Sequence, residues 1–516
     1  MVEVDVEAEQ ELDELELSDG GPRVRVARPV DTAHLNYTDI GNGERLAVHG
    51  RTWLRHVHAV GWHIWDTRRW LRDVSETYVV ELAKYAVRGI YAEQAWLSEQ
   101  AALATDADER QQWSTRADAA GRHARASEHA ARVAAMIKMA YAEHEIIVRG
   151  EDGHDAAERL DADPNLLNLQ NGTLDLDGMV LREHDPADLI TKVSPASYDS
   201  GATAPRWAEF LEMVLPDPEV RGYVQRAVGY SLLGSFSEFL FIPHGDGLNG
   251  KSTFLRALRD VLGEYAASLP AELLTPRRGG MDAGAYSALA SMRGVRMVTT
   301  VETEQGRELS ESFVKELTGE GVLQAKFMRQ DMFEFHNKTA VWLATNHLPL
   351  VRGTDFAIWR RLRLIPFEVT IPAERREDPI VVEERFRAER DGILQWALAG
   401  LRRYREVGLD MPPAVMEATA AWQREMDPTS EWIEECCEFG AEHSTPVAVV
   451  RASYEEHARA AGRGDYLLSP RRLNDRLRRL GCEQTQVKLL GTNTKAWRGV
   501  KVRRPIASTP SPLVNY

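Results

Sequence analysis

The spacing of apolar residues divides the chain into helical and strand-containing stretches. Residues 76–148 are rich in Ala, Glu and Arg and contain no proline, which predicts long helices. Residues 165–176 alternate apolar and polar side chains around Asn171-Gly172, a pattern typical of a β-hairpin. Between residues 238 and 370 apolar strands alternate with helical stretches, which favours an α/β nucleotide-binding core.

The remaining stretches predict smaller units. Residues 205–234 and 372–426 have the apolar spacing of helices, and residues 430–504 predict two helices followed by a hairpin. Residues 35–75 are rich in tryptophan and are interrupted by the glycines Gly41, Gly43, Gly50 and Gly61. This mixture predicts a small unit of turns and short strands.

The net charge of −16 is unevenly distributed along the 516 residues. Residues 3–19 carry nine acidic side chains and no basic one, which predicts a disordered acidic tail. Basic residues cluster near the other end: Arg471, Arg472, Arg476, Arg478, Arg479, Lys488, Lys495, Arg498, Lys501, Arg503 and Arg504. Overall acidity is therefore compatible with a local basic surface for DNA.

Composition argues against several classes of protein. The chain has no run of eighteen apolar residues and no basic–apolar leader, so we expect no membrane span and a cytoplasmic location in a bacterial host. The spacing of Cys436, Cys437 and Cys482 is not that of metal ligands, and we expect reduced thiols. A length of 516 residues predicts about three domains.

One motif predicts a nucleotide site. Gly245-Asp246-Gly247-Leu248-Asn249-Gly250-Lys251-Ser252 matches G-x-x-x-x-G-K-[ST] in full. It follows the apolar run Phe239–Ile242 and precedes a helical stretch that begins at Thr253. In such a loop, glycines let backbone N–H groups surround phosphate oxygens at a helix N-terminus. We expect Lys251 to neutralise the β- and γ-phosphates of ATP and Ser252 to ligate Mg²⁺.

Two further strands end in polar residues where a nucleotide is expected. A motor needs an acidic group on a strand beside the one that precedes the loop, and an apolar strand from Val295 is expected there. This strand ends in Glu302, and Glu304 follows two residues later. Glu302 is the first candidate to hold Mg²⁺ or the attacking water and Glu304 is the second, and a solvated strand end is the alternative for both. A third strand ends in Asn346, whose neutral amide can orient water or contact the γ-phosphate.

Adjacent arginines precede the next strand. Arg360 and Arg361 follow Trp359, and the apolar residues from Leu364 to Phe367 come after them. The two guanidinium groups either form a solvated face or supply an arginine finger to the ATP of a neighbouring subunit. The residues by themselves leave both interpretations open.

Taken together, these motifs resemble the superfamily 3 helicases, specifically the primase–helicase family of phages, plasmids and poxviruses. The resemblance is carried by Gly245–Ser252, Glu302, Lys315–Gly319, Ala344–Pro349, Trp359–Arg361 and Ile365–Phe367. It covers residues 35–370 well and the C-terminal part loosely. It implies a ring, usually a hexamer, that hydrolyses ATP and moves along single-stranded DNA in the 3′ to 5′ sense.

The resemblance also assigns roles to residues. It implies that Glu302 is the Walker B acid, that Asn346 is the sensor and that Arg360 or Arg361 is the finger. The segment after Gly319 is expected to form a hairpin in the channel of the ring, where Lys326 and Arg329 contact DNA phosphates.

The chain departs from the family pattern at three places. The Gly-Gly-Asp that usually follows the lysine is replaced by Gly319-Glu320-Gly321, and Thr303 separates the two acids of the Walker B strand. The region before the motor lacks the paired carboxylates and histidine of a polymerase-like primase. Primer synthesis is therefore expected from a separate primase or polymerase.

The basic C-terminal stretch predicts a winged-helix module. Residues 469–480 begin with a Ser cap and a Pro, and they predict a recognition helix that carries Arg471, Arg472 and Arg476. The following hairpin is expected to place Lys495 near DNA phosphates. Such modules also mediate protein contacts, so both roles stay open.

The expected fold class is multidomain α/β: an AAA+-like superfamily 3 P-loop core with a mainly helical N-terminal domain and a C-terminal winged helix. The expected boundaries are a disordered tail (1–27), a Trp-rich and helical region (28–160), a helical domain (161–235), the ATPase core (236–371), a helical extension (372–428), the basic module (429–505) and a loose end (506–516).

The expected function is ATP-dependent unwinding in phage, prophage or plasmid replication by a homo-hexamer on single-stranded and forked DNA. An ATP-gated, origin-binding initiator without processive unwinding is the main alternative. A DNA-packaging or partitioning motor would share the ATP site but differ in strand order, and a nucleotide-dependent repressor would be a dimer.

Overall fold

The computed structural model describes residues 14–16, 23–25, 27–58, 60–150, 155–277, 281–302, 306–319, 321–327, 332–351, 356–427, 429–461, 467–489 and 492–503. They belong to two compact units, one of Met1–His347 with Arg360–Val415 and the other of Leu348–Trp359 with Met416–Tyr516. Within these ranges, no helix has the length and apolar character needed to cross a bilayer.

The first unit begins with a small sheet and three long helices. Its elements are β1 (Glu14–Glu16), β2 (Arg23–Arg25), α1 (Pro29–Thr32), α2 (Asp39–Gly50), β3 (Leu54–Val57), β4 (Gly61–Trp65), β5 (Trp70–Arg72), α3 (Thr77–Leu103), α4 (Ala107–Ser127), α5 (Ala130–Ala140) and β6 (Ile147–Val148). Strands β5, β4, β3 and β6 form one sheet in that order. The long helices predicted over residues 76–148 are confirmed.

Two predictions for this region are wrong in part. The acidic tail was expected to be disordered, but β1 pairs with β2 so that Glu14 stands opposite Arg25 and Glu16 opposite Arg23. The other tail residues before Ala27 lie outside the described residues.

Helix α2 replaces the turns that were expected near Gly41, Gly43 and Gly50. Its glycines reflect close packing, because a Cβ at Gly41 would lie 1.9 Å from the Asn36 carbonyl oxygen and one at Gly43 would lie 2.6 Å from the Met139 Cβ. Glycine is unfavourable within an isolated helix, and here tertiary packing overrides that preference.

The second part of the first unit combines a meander and two helices. Its elements are β7 (Leu166–Leu169), β8 (Gly172–Asp175), β9 (Val180–Arg182), α6 (Pro205–Val214) and α7 (Pro218–Tyr230). The predicted hairpin around Asn171-Gly172 is confirmed by the antiparallel pairing of β7 with β8. The expected helical domain over residues 161–235 is therefore helical only in its second half, because its first half has the two-residue period of strands.

A five-stranded parallel sheet follows. The elements of this stretch are β10 (Leu240–His244), α8 (Lys251–Leu262), β11 (Ala266–Ser268), α9 (Ala283–Ala290), β12 (Met297–Glu302), α10 (Glu311–Leu317), β13 (Val322–Lys326), β14 (Met332–His336), β15 (Ala340–Thr345), α11 (Phe356–Trp359) and β16 (Leu362–Pro366). The sheet has the order β11-β12-β15-β10-β16, and every neighbouring pair is parallel. Strands β13 and β14 form a separate antiparallel hairpin.

Helices cover this sheet. The predicted helical stretch 372–426 contains α12 (Pro379–Ala388), α13 (Arg390–Val407) and α14 (Pro413–Met426). Helix α13 packs closely on α7, since a Cβ at Gly229 would lie 2.1 Å from the Leu401 nitrogen. Buried aromatic rings of Trp207, Phe254 and Trp342 join the helices to the sheet, and the Trp207 and Phe254 rings stack at 5.6 Å.

The second unit contains a three-stranded antiparallel sheet with the order β17-β19-β18. Its elements after α14 are α15 (Ser430–Cys436), β17 (Cys437–Pro446), α16 (Val447–Ala460), α17 (Pro470–Arg479), β18 (Glu483–Leu489) and β19 (Thr492–Val502). The helices and the hairpin were predicted in part, whereas β17 and a third helix were missed. All three cysteines are buried and carry free thiols.

Candidate functional site

The loop from Gly245 to Gly250 joins β10 to α8 at the carboxyl edge of the parallel sheet. Because its sequence predicts phosphate binding, it is called the phosphate loop below. Gly247 and Gly250 have φ angles of +101° and +82°, a region that glycine adopts without steric cost. At Gly250 a Cβ would also lie 2.7 Å from the Val214 side chain of α6. The predicted strand–loop–helix arrangement is therefore present, and its glycines are required by backbone conformation and packing.

Lys251 is held inside this loop. Its Nζ donates hydrogen bonds to the Gly245 carbonyl oxygen at 2.7 Å and to Asn249 Oδ1 at 2.8 Å, and the residue is only 4% exposed. Burial lowers the pKa of Lys251 to about 8, and Asp246 opposes that shift. The amino group is thus preorganised at the N-terminus of α8.

Asn249 positions Lys251. Its amide oxygen accepts from Lys251, and its Nδ2 donates to the Phe367 carbonyl oxygen at 2.8 Å, just beyond β16. The motif predicted a backbone contribution at this position but did not indicate this side-chain role. Asp246, Leu248 and Ser252 are exposed along the loop and the first turn of α8, whereas Thr253 is half-buried.

The strand register brings the predicted groups to one edge of the sheet. Glu302, the last residue of β12, is level with Thr345, and Thr345 is level with His244 of β10. Asn346 directly follows β15. The acidic strand was expected beside the phosphate loop, but β15 lies between them, so the backbones of Glu302 and His244 are separated by about 10 Å, two strand spacings. The Glu302 side chain and all of Glu304 lie outside the described residues.

His244 is a residue at this edge that the motif analysis missed. It is the last residue of β10 and immediately precedes Gly245. Burial lowers the pKa of His244, and the neighbouring Lys251 ammonium lowers it further. Its position at the carboxyl end of a strand before the loop was the available sequence signal.

The predicted finger residues lie at the opposite edge. The Leu240 nitrogen at the start of β10 donates to the Arg361 carbonyl oxygen at 2.9 Å, and Leu240 is level with Leu362. Because β10 runs four residues from there to His244, Arg361 is displaced by about 13 Å along the strand from the phosphate loop. Arg360 is exposed. The structure does not bring Arg360 or Arg361 to the phosphate loop of the same chain.

The hairpin expected after Gly319 is present as β13 and β14. Lys326 ends β13 and is exposed, whereas Arg329 lies outside the described residues. The Arg72 guanidinium lies 3.9 Å from the centre of the Phe327 ring, and His336 contacts Glu158 at 2.8 Å. These two contacts tie the hairpin to segments that precede the motor.

The basic C-terminal residues have different environments. Arg471 and Arg472 are exposed in the first turn of α17, which Ser469 caps as predicted, and Lys495 is exposed on β19. Arg476 instead donates to Asp427 Oδ2 at 2.7 Å and is half-buried. This ion pair indicates that Arg476 stabilises the unit itself.

A cleft of about 890 Å³ adjoins the phosphate loop on the side of Thr253. Apolar side chains of α6, the loop, the segment after β16 and α12 form much of its wall: Phe210, Met213, Leu248, Ile371, Val382 and Phe386. The Ile371 nitrogen donates to the Leu248 carbonyl oxygen at 2.8 Å and so fixes the loop against this wall.

Comparisons with known proteins find similarity to one family model and to proteins of several viruses. The family described as "D5 N terminal like" matches residues 44–216. "Putative helicase L207/L206" of Acanthamoeba polyphaga mimivirus is 26% identical over 294 residues, 53% of this chain and 30% of the relative. "Putative primase C962R" of African swine fever virus is 26% identical over 243 residues, 44% of this chain and 25% of the relative.

The chain thus aligns with less than a third of the length of these two relatives. Among solved structures, the apo C-terminal region of NrS-1 matches at 13% identity with a TM-score of 0.40, covering 59% of this chain and 77% of that chain. The domain match and the viral relatives named as helicases and primases support a primase–helicase family for this chain.

Proposed function

We propose that the protein is an ATP-dependent DNA helicase of superfamily 3 that works as a ring, a homo-hexamer, in the replication of a phage, prophage or plasmid. The observation that carries the proposal is the distribution of charged groups over the parallel sheet. The phosphate loop and Asn346 are at the carboxyl edge, while Arg361 is about 13 Å away at the amino edge. Arg360 and Arg361 can therefore act only on the nucleotide of another subunit.

The residues of the loop fit a nucleoside triphosphate with Mg²⁺. The Lys251 ammonium lies at the N-terminus of α8, where backbone N–H groups and the helix dipole favour an anion. The exposed Ser252 hydroxyl and the Glu302 carboxylate are the residues that would hold Mg²⁺. When bound, the metal would neutralise charge that develops on the transferred phosphoryl group.

The cleft beside Thr253 supports a nucleoside at this position. It begins at Gly250 and Thr253, so a nucleotide whose phosphates lie in the loop would extend its sugar and base toward Phe210, Ile371 and Phe386. Its apolar wall is typical of small-molecule sites.

DNA is the proposed second substrate. The relatives are named as helicases and primases, which act on nucleic acid. Exposed basic side chains can neutralise DNA phosphates without reading sequence. The chain carries such side chains at Lys326 on the hairpin and at Arg471, Arg472 and Lys495 of the second unit.

Strand displacement on a 3′-tailed fork tests the proposal. Wild type should unwind the fork with ATP and Mg²⁺, and both Lys251→Ala and Arg361→Ala should abolish unwinding. Arg361→Ala should still bind ATP, because its side chain is remote from the phosphate loop of its own chain. ATP hydrolysis by wild type that DNA does not stimulate, together with no unwinding, would contradict the proposal.

The second candidate is an ATP-gated initiator that binds duplex DNA at an origin. The exposed arginines on the first turn of α17 favour it, because an arginine at a helix N-terminus is disfavoured by the dipole unless it has another role. Tight, ATP-dependent binding to one duplex sequence, with no strand displacement, would support this candidate.

A further inference from the structure

A segment of the motor sequence belongs to the C-terminal unit. Leu348–Trp359 lies between Asn346, the predicted sensor, and Arg360 and Arg361, the predicted finger residues. It is nevertheless part of the compact unit formed by Met416–Tyr516. Both ends of the segment therefore join groups that we place in ATP hydrolysis, while the segment itself is grouped with the second unit.

Two tryptophans anchor the end of this segment. Trp359 at the end of α11 is 5% exposed, and its ring meets the Trp422 ring of α14 edge-to-face with centroids 5.1 Å apart and planes at 78°. Trp422 is 1% exposed. Such aromatic pairs are specific in geometry, so Trp422 fixes the position of the residue directly before Arg360.

One side of Trp359 borders a cleft of about 190 Å³. Its other walls include Asp427 at the end of α14 and Arg476 of α17, and these two side chains form an ion pair at 2.7 Å. Asp427 also accepts from the Thr429 nitrogen and hydroxyl at 2.9 and 2.6 Å. Trp359 thus borders this cleft, and the Asp427 network joins the cleft wall to the helix that carries Arg471 and Arg472.

We infer that the second unit is a DNA-responsive regulator of ATP hydrolysis, with Trp422 and Trp359 as positioning residues for the arginine finger and Asp427 as the link to α17. Contact of DNA with Arg471 and Arg472 would be transmitted through Arg476 and Asp427 to α14. The inference rests on the proposed function, since it needs a finger at Arg360 or Arg361.

Trp422→Leu tests the positioning role. We expect ATP affinity to stay within about twofold of wild type, because the phosphate loop is unchanged, while kcat falls by about 100-fold, the loss produced by a misplacement of about 1 Å. Binding of a fluorescent ATP analogue and single-turnover hydrolysis on the full chain separate the two quantities. Trp422→Phe retains an aromatic contact and should restore much of kcat.

Asp427→Asn tests the link to DNA. It removes the charge that holds Arg476, and we expect fork DNA to stimulate ATP hydrolysis about tenfold less than in wild type. Asp475→Asn is the matched control. Asp475 forms an ion pair with Arg478 at 2.9 Å, both residues lie on α17, and neither lines the cleft. This control should retain the stimulation of wild type.

The outcomes separate the two proposals. A wild-type chain that hydrolyses no ATP with or without DNA defeats the helicase proposal. If the wild type is active and DNA stimulates ATP hydrolysis equally in Asp427→Asn and Asp475→Asn, the inference alone is overturned. This holds even if Trp422→Leu fails to fold. A loss confined to Asp427→Asn, with kcat restored by Trp422→Phe, supports it.

Discussion

Lys251 is the side chain on which the proposed nucleotide binding would depend most. It is nearly buried between the Gly245 carbonyl and the Asn249 amide, neither of which is a counter-charge. Removal from water without a paired anion favours the neutral amine, and the pKa of Lys251 accordingly falls to about 8. In the proposed site, a bound triphosphate would supply the missing anion.

We therefore expect ATP affinity to depend on pH. Below pH 8 the Lys251 amine is already protonated in the free protein. Above pH 8 the binding of ATP must be accompanied by the uptake of a proton at Lys251. The Kd for ATP should thus rise by up to about tenfold per pH unit above pH 8, until the pKa of the bound state is reached. Titrations with a fluorescent ATP analogue between pH 7 and 10 measure this. Lys251→Arg stays charged and should give a flat curve, and parallel curves for the two proteins would refute the assignment.

The ion pair of Arg45 and Glu93 stabilises the N-terminal region. Both side chains are fully buried, and Arg45 Nε and Nη2 donate to the two Glu93 oxygens at 2.8 and 2.9 Å. Glu93→Gln leaves a buried guanidinium without its counter-charge, which should lower the free energy of unfolding by about 3–5 kcal/mol. Urea unfolding followed by tryptophan fluorescence measures the change.

Glu99→Gln, an exposed position on the same helix, serves as the control for Glu93→Gln. It should change the free energy of unfolding by less than about 0.5 kcal/mol. Equal stability of the two variants would show that the buried pair contributes little net stabilisation.

The sequence predicts the motif residues of the candidate site better than the side chains that contact them. Gly245–Ser252 and Asn346 could be predicted, because a phosphate loop and strand ends have local patterns. The roles of Asn249 and His244 could not, since they depend on contacts with Phe367 and Lys251 that only folding creates. The structure gives the positions of these residues, whereas the roles predicted for Lys251, Ser252, Glu302, Glu304, Asn346 and Arg329 stay predictions.

Helix α2 shows how packing decides the conformation of a glycine-rich stretch. The Gly43 Cα faces α5, and an added Cβ would lie 2.6 Å from the Met139 Cβ and 3.0 Å from the Ala140 nitrogen. Gly43→Ala should therefore lower the free energy of unfolding by about 1–3 kcal/mol, although alanine is the better helix former. Thermal unfolding followed by circular dichroism tests this.

Gly222→Ala provides the matched helical control. In α7 the nearest atom to an added Cβ is the Arg226 Nη1, at 3.4 Å, on a flexible side chain. This variant should be more stable than wild type by about 0.5–1 kcal/mol. If Gly43→Ala were stabilising as well, close packing of α2 on α5 would not explain the glycine.

Elements could be predicted where their pattern is local, and they were missed where they depend on contacts between distant residues. The helices α3 and α4 and the hairpin of β7 and β8 have strong periodicity and were found. Strand β17 was missed because Gly440 and polar residues interrupt its pattern, and its pairing with β19 joins residues about sixty positions apart. The membership of Leu348–Trp359 in the second unit has no local signal at all.

In the proposed function, the molecule as a whole carries only part of an ATPase site. The parallel sheet places the phosphate loop and the end of β15 at one edge and Arg361 at the other. On this proposal a single chain would not supply an arginine finger to its own nucleotide, and a cyclic assembly would complete every site with an identical contact.

Mixing two inactive variants tests this shared site most directly. Lys251→Ala lacks the ammonium group that would bind phosphate, and Arg361→Ala lacks the proposed finger. Each variant should therefore hydrolyse no ATP by itself. In a randomly mixed ring, roughly a quarter of the interfaces would join an intact loop to an intact finger. We predict that DNA-dependent hydrolysis reappears on mixing. A mixture that co-assembles and stays inactive, or an Arg361→Ala protein that is active by itself, would contradict the account.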